Sequence, residues 1–157
     1  MSRPVKFGQV KGPIVTVPIP AQASQNFENR SGCFVTLDSS ERAGVSVAAD
    51  TQIFGFALAG DFTTSSTAGQ TILAINISLE AIYLMPLDAA RTIAQLQDLV
   101  GKTCDLVVAS NIQYADYDAS TTDVIQIVGY EYWGSASGEQ GVWVRMNPGK
   151  AFTAGVV

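Results

Sequence analysis

Histidine is absent from all 157 residues, charged side chains make up only 15%, and cysteine occurs twice. Without imidazole, Ser-His-Asp and Cys-His nucleophilic triads are excluded, and so are histidine-ligated zinc, copper and iron centres. Cys33 and Cys104 match no metal or redox spacing and stand among apolar neighbours, so they read as two reduced, buried thiols. No apolar run approaches the ~18 residues of a membrane-spanning helix. The opening stretch from Met1 to Phe7 lacks the apolar segment of a signal peptide, so export is not expected. Nothing points to a cofactor or a bound metal.

What is present is apolar. Hydrophobic residues make up 47% of the chain, which excludes disorder for the bulk of it. The length suits one domain. A surplus of apolar surface without a membrane segment points to a partner chain. Net charge is −5 and is unevenly spread: residues 1–27 hold Arg3, Lys6 and Lys11 and no acid, leaving six bases and fourteen acids beyond them. An acidic body argues against nucleic acid as the partner, because phosphate binding needs clustered Lys and Arg.

Residues 1–27 differ from the rest. Pro4, Pro13, Pro18 and Pro20 forbid a helix and interrupt a central strand. Arg3, Val5, Lys6, Phe7, Val10, Ile14, Val15, Val17 and Ile19 then make a basic, apolar, extended segment. This pattern suits a strand laid on another protein's edge, with an edge strand packed on its own domain as the alternative. The expected organisation is therefore an arm over 1–27 and a single β-rich domain over 28–157.

From Gly32 onward short strands alternate with turn residues, at 33–37, 45–47, 53–58, 72–79 and 82–85. One helix is expected at about 88–100, capped by Asp88, with Ala89, Ile93, Leu96 and Val100 on one face and Gly101 as its stop. Strands follow at 103–109, 111–114, 124–133 and 142–146, and no internal repeat is evident. The fold class is mainly β: a compact β-barrel or sandwich-like domain with one packed helix and an extended N-terminal arm.

Three apparent motifs fail on their chemistry. Gly101-Lys102-Thr103 has Leu96 where a phosphate-binding loop needs glycine, and the helix precedes it instead of following. Asp116-Tyr117-Asp118 starts like a calcium loop but has Thr121 at the sixth position and Ile127 at the twelfth. Gly134 to Gly138 places Ala136 where a nucleophile elbow needs serine. An enzyme is not expected. Tyr130, Tyr132, Trp133 and Trp143 cluster near the last hairpin, as candidate subunit-interface aromatics or as a platform for sugars.

The Pro-rich start, Gly32-Cys33-Phe34-Val35-Thr36-Leu37-Asp38, the segments 99–106 and 122–129, and the closing Trp143 to Lys150 together resemble a capsid decoration, or cement, protein of a tailed bacteriophage. The resemblance spans residues 32–150 as a pattern and contains no sharp motif. It implies a non-enzymatic virion protein, made in the host cytoplasm and bound to the outside of an icosahedral head. It further implies trimers, and an arm that pairs with the major capsid protein and clamps neighbouring subunits. The alternative from another class is a glycan-binding β-module on a virion, using the Trp133 and Trp143 region.

Overall fold

Thirteen short strands over residues 8–27, 32–58 and 60–151, the residues described by a computed structural model, build two small barrels joined by a ribbon. The first contains β2 (Thr16–Pro20), β4 (Cys33–Leu37), β5 (Ala43–Val45), β6 (Gly55–Ala57) and β8 (Ile72–Asn76), side by side in the order β2-β8-β6-β4-β5. A parallel bridge from Ala21 to Ala43 closes it, and Gln22 N–H donates to Ala43 O at 2.9 Å. The second contains β9 (Ile82–Pro86), β10 (Thr103–Ala109), β11 (Ile112–Asp116), β12 (Ile125–Tyr132) and β13 (Gln140–Met146), in the order β9-β13-β12-β10-β11. It is closed the same way, by a parallel bridge from Leu87 to Ala115, with Asp88 N–H donating to Ala115 O at 3.1 Å. Two further strands, β3 (Asn26–Phe27) and β7 (Phe62–Thr63), pair beside the first barrel, where Phe27 stacks on Phe62 at 5.2 Å.

Strand order and register repeat from one barrel to the other. Val17 opposite Ile75 corresponds to Tyr83 opposite Val144, and Pro20 opposite Ile72 to Pro86 opposite Gly141. Val35 opposite Gly55 corresponds to Cys104 opposite Ile125, and Leu37 opposite Ala43 to Leu106 opposite Ala115. Gly32 and Gly101, one residue before the matching strand segments, both take positive φ, at +116° and +91°. The chain is an internal structural duplication, which corrects the expectation of no repeat. Along the matched strands identity survives only at Pro20/Pro86, Gly32/Gly101, Leu37/Leu106 and Ala43/Ala115. Burial in each barrel asks for an apolar residue of fitting volume and not for a particular one, so the two halves can share register without sharing sequence.

The outer face of the first barrel packs onto the second. Phe34 and Phe56 meet Tyr83 with ring centroids 5.2 and 4.2 Å away, and each other at 5.2 Å, all three fully buried. The residues matching Phe34 and Phe56 in the second barrel are Thr103 and Gln126, and Arg145 Nε donates to Gln126 Oε1 at 2.7 Å.

Residues 8–20 are not a free arm. β1 (Gly8–Lys11) pairs antiparallel with β9, adding a sixth strand to that sheet, and β2 pairs antiparallel with β8. The stretch 8–20 therefore runs as one interrupted ribbon along 72–84, and the boundary expected at residue 27 falls inside the first barrel. Proline permits this because of parity. Ala21 N–H donates to Thr71 O and Ile77 N–H to Val15 O, so the odd residues of β2 turn their backbone groups toward β8. Pro18 and Pro20 face the open edge, where the missing N–H costs no ladder bond and denies a donor to an incoming strand.

The helix is shorter than expected. α1 spans Ile93–Leu99, and its N-cap is Thr92, not Asp88. Thr92 and Gln95 form a capping box, with Gln95 N–H donating to Thr92 Oγ1 at 3.2 Å and Thr92 N–H to Gln95 Oε1 at 2.9 Å. Leu96 and Leu99 are the buried pair, while Ile93 and Val100 are exposed.

Candidate functional site

The ribbon's crossover between the barrels carries three of the predicted arm residues outward. Val10 on β1, and Ile14 and Val15 between β1 and β2, are 44%, 62% and 51% exposed. Val17 and Ile19 turn the other way, half-buried against the core of the first barrel. Arg3, Val5, Lys6 and Phe7 lie outside the described residues. The structure thus divides the predicted set into an exposed ridge and a core-facing pair.

Asn76 holds the ridge in place. Fully buried, it accepts the N–H groups of Val15 and Ser78 on Oδ1, both at 3.1 Å, and donates from Nδ2 to Gln9 Oε1 at 3.0 Å and Pro13 O at 3.2 Å. Gln9 Nε2 also donates to Gly12 O at 3.0 Å. Gly12, at φ +97°, lets the crossover pass Glu80 and Ala81 so closely that a Cβ would stand 2.7 Å from Glu80 O. Asn76 falls inside the strand expected at 72–79, and what marks it out is a buried amide whose oxygen accepts two bonds and whose nitrogen donates two.

The four aromatics serve different ends. Tyr130 and Tyr132 are half-buried against the second barrel's core. Trp143 lies on the outside of β13 over Gly129, where a Cβ would meet the indole at 3.3 Å, and Lys11 Nζ stands 5.5 Å from its ring centroid. Trp133 alone is well exposed, at 59%. The structure gives no single aromatic platform.

The acidic loops near β11 are organised around Arg91. Its Nη2 contacts Asp88 at 3.5 Å and Asp118 at 3.2 Å, and its guanidinium sits 4.2 Å from the Tyr117 ring centroid. Among the described residues no group of three or more acids and cysteines could hold a metal ion. Asp105 accepts backbone N–H groups from Thr121, Thr122 and Asp123 at 2.7–2.9 Å. Burial alone would raise its pKa, but these donors outweigh it and hold the carboxyl below its ordinary range. Its cross-strand neighbour Asp116 is raised, by burial and then by the charges of Asp88, Asp105 and Asp118. Both cysteines are free and buried, in agreement with the sequence. Burial pushes the Cys104 thiol up to about 12, with nearby carboxylates adding to it, and burial raises Cys33 as well. Neither is poised as a nucleophile at neutral pH.

No family model, curated protein or solved structure matches this chain.

Proposed function

We propose that the protein is a non-enzymatic virion component that binds the outer surface of an icosahedral phage head, clamps neighbouring capsid subunits and associates with itself as a trimer. The exposed apolar ridge of Val10, Ile14 and Val15 carries this reading. It stands on a braced crossover, so the contact is made without first ordering a free arm, and little conformational entropy is lost on binding. Many copies on one lattice multiply a modest contact through effective concentration. The acidic remainder of the chain disfavours nucleic acid as the ligand. A glycan-binding module is the second reading and draws on Trp133 alone.

Mixing the purified protein with expanded heads that lack it, then pelleting the heads, tests the reading. The wild type should pellet, and the double variant Ile14→Asp/Val15→Asp should stay in the supernatant with an unchanged circular dichroism spectrum. Failure of the wild type to pellet overturns the function, and full pelleting of the variant overturns the ridge as the contact.

A further inference from the structure

The outer face of the first barrel is only partly covered. Along it the side chains of even-numbered residues form rows across β2, β8 and β6, set by the pairs Pro18/Ala74, Pro20/Ile72 and Phe56/Asn76 and by the bond from Leu58 N–H to Ala74 O at 3.0 Å. The row of Phe34, Phe56 and Asn76 is fully buried. One step along the strands the rows of Pro18, Leu58 and Ala74, then Pro20 and Ile72, emerge from under the second barrel. Ile72 is 59% and Leu58 37% exposed, Pro18 and Ala74 are exposed, and none of the five is charged.

The duplication shows what covering this face looks like. Leu84, the match of Pro18, is opposed by Gly8 of β1 and only 8% exposed, and Trp143, the match of Ala74, lies under Lys11. The first barrel has no equivalent of β1 among the described residues, and Pro18 keeps a strand from adding at that edge. A cover must therefore approach from the face and not from the edge.

We infer that this face is covered by a second copy of the chain, through Pro18, Leu58, Ile72 and Ala74. The face continues the apolar barrel-to-barrel contact already buried inside each chain, so a neighbouring copy extends an existing interface. An uncharged apolar surface matches the composition of interfaces between identical subunits, which are more apolar than contacts between transient partners. The inference rests on the self-association in the reading above and is independent of the capsid contact.

Sedimentation velocity at micromolar concentration tests it. The wild type should sediment as a species larger than 16.6 kDa. Ile72→Glu, and separately Leu58→Lys, should weaken association by about tenfold or more, the equivalent of ~1.4 kcal/mol, with melting temperature and head binding by the ridge retained. Trp133→Ser, at the exposed aromatic that follows β12 of the second barrel, should associate as the wild type does. A monomeric wild type overturns the inference, as does undiminished association of both variants. Loss of head binding by Ile72→Glu from a monomeric wild type would assign the face to the capsid protein instead. A wild type that fails to pellet with heads yet still associates would sink the capsid reading and leave this one standing.

Discussion

Gln113 on β11 exchanges both amide hydrogen bonds with the main chain of Phe34, across 79 residues of sequence. Its Oε1 accepts Phe34 N–H at 2.9 Å, and its Nε2 donates to Phe34 O at 2.8 Å and to Ser46 O at 2.9 Å. Gln113 is fully buried, so this one side chain supplies a rung between the edge of the second barrel and the first. The docking of the barrels is thereby fixed in direction, where the Phe34, Phe56 and Tyr83 contact alone would be apolar and less directional.

Gln113→Leu should therefore destabilise the fold by about 2–4 kcal/mol, because it removes the acceptor for Phe34 N–H and the donor to Phe34 O and Ser46 O from a buried site, leaving Phe34 O with only the N–H of Ser46 at 3.0 Å among these bonds. Urea denaturation would show a lower midpoint. Gln113→Glu keeps the acceptor for Phe34 N–H but loses both donations, and it should also be destabilised.

Asn76→Ala removes four hydrogen bonds at the crossover. The expected cost is about 2–3 kcal/mol. Amide hydrogen exchange should rise first at Val15 and Ser78, whose N–H groups Asn76 accepts, while the β12–β13 pairing keeps its protection.

Stability should fall in acid through Asp105. Its folded pKa is depressed, so its contribution is present above the unfolded value, near ~3.9, and is lost as pH falls through the folded one. Asp105→Asn should cost about 2–3 kcal/mol at neutral pH, with the difference shrinking at the acid end of a denaturation series. Asp116 is shifted the other way, so its ionisation works against the fold and its contribution improves on protonation. Asp116→Asn should be neutral or slightly stabilising at pH 7.

The matched glycines should respond unequally. An added Cβ at Gly101 meets nothing within 4 Å, whereas at Gly32 it would collide with Ala57 O. Gly101→Ala should cost about 1–2 kcal/mol, the price of its left-handed backbone. Gly32→Ala adds a backbone collision and should be much worse, which thermal unfolding of the two variants would reveal.

The sequence carried most of the strands from Gly32 to Met146 and the buried thiols, because alternation and turn residues are local signals, but it missed β7 and set β5 two residues late. It misplaced the start of α1 because Asp88 is a good cap by type, while the capping box belongs to Thr92 and Gln95. It read 1–27 as an arm for another protein's edge, with an edge strand on its own domain as the alternative, because prolines argue against a place inside a sheet. Which side of a strand a proline nitrogen faces depends on pairing that no local pattern encodes. The duplication was hidden for the same reason: strand order and register survive where residue identity does not. Of the candidate site, Val10, Ile14 and Val15 were legible as apolar residues without an evident core use. The Leu58 and Ile72 face was not, because alternation in a strand cannot say how far a covering barrel reaches.

The most direct test of the proposed role is a cryo-EM map of particles carrying the chain, compared with particles lacking it. The account predicts difference density at many equivalent positions over the whole head, with the crossover of Val10, Ile14 and Val15 against the capsid surface. Density confined to a few copies at a vertex or tail tip, or none on the head, would contradict it.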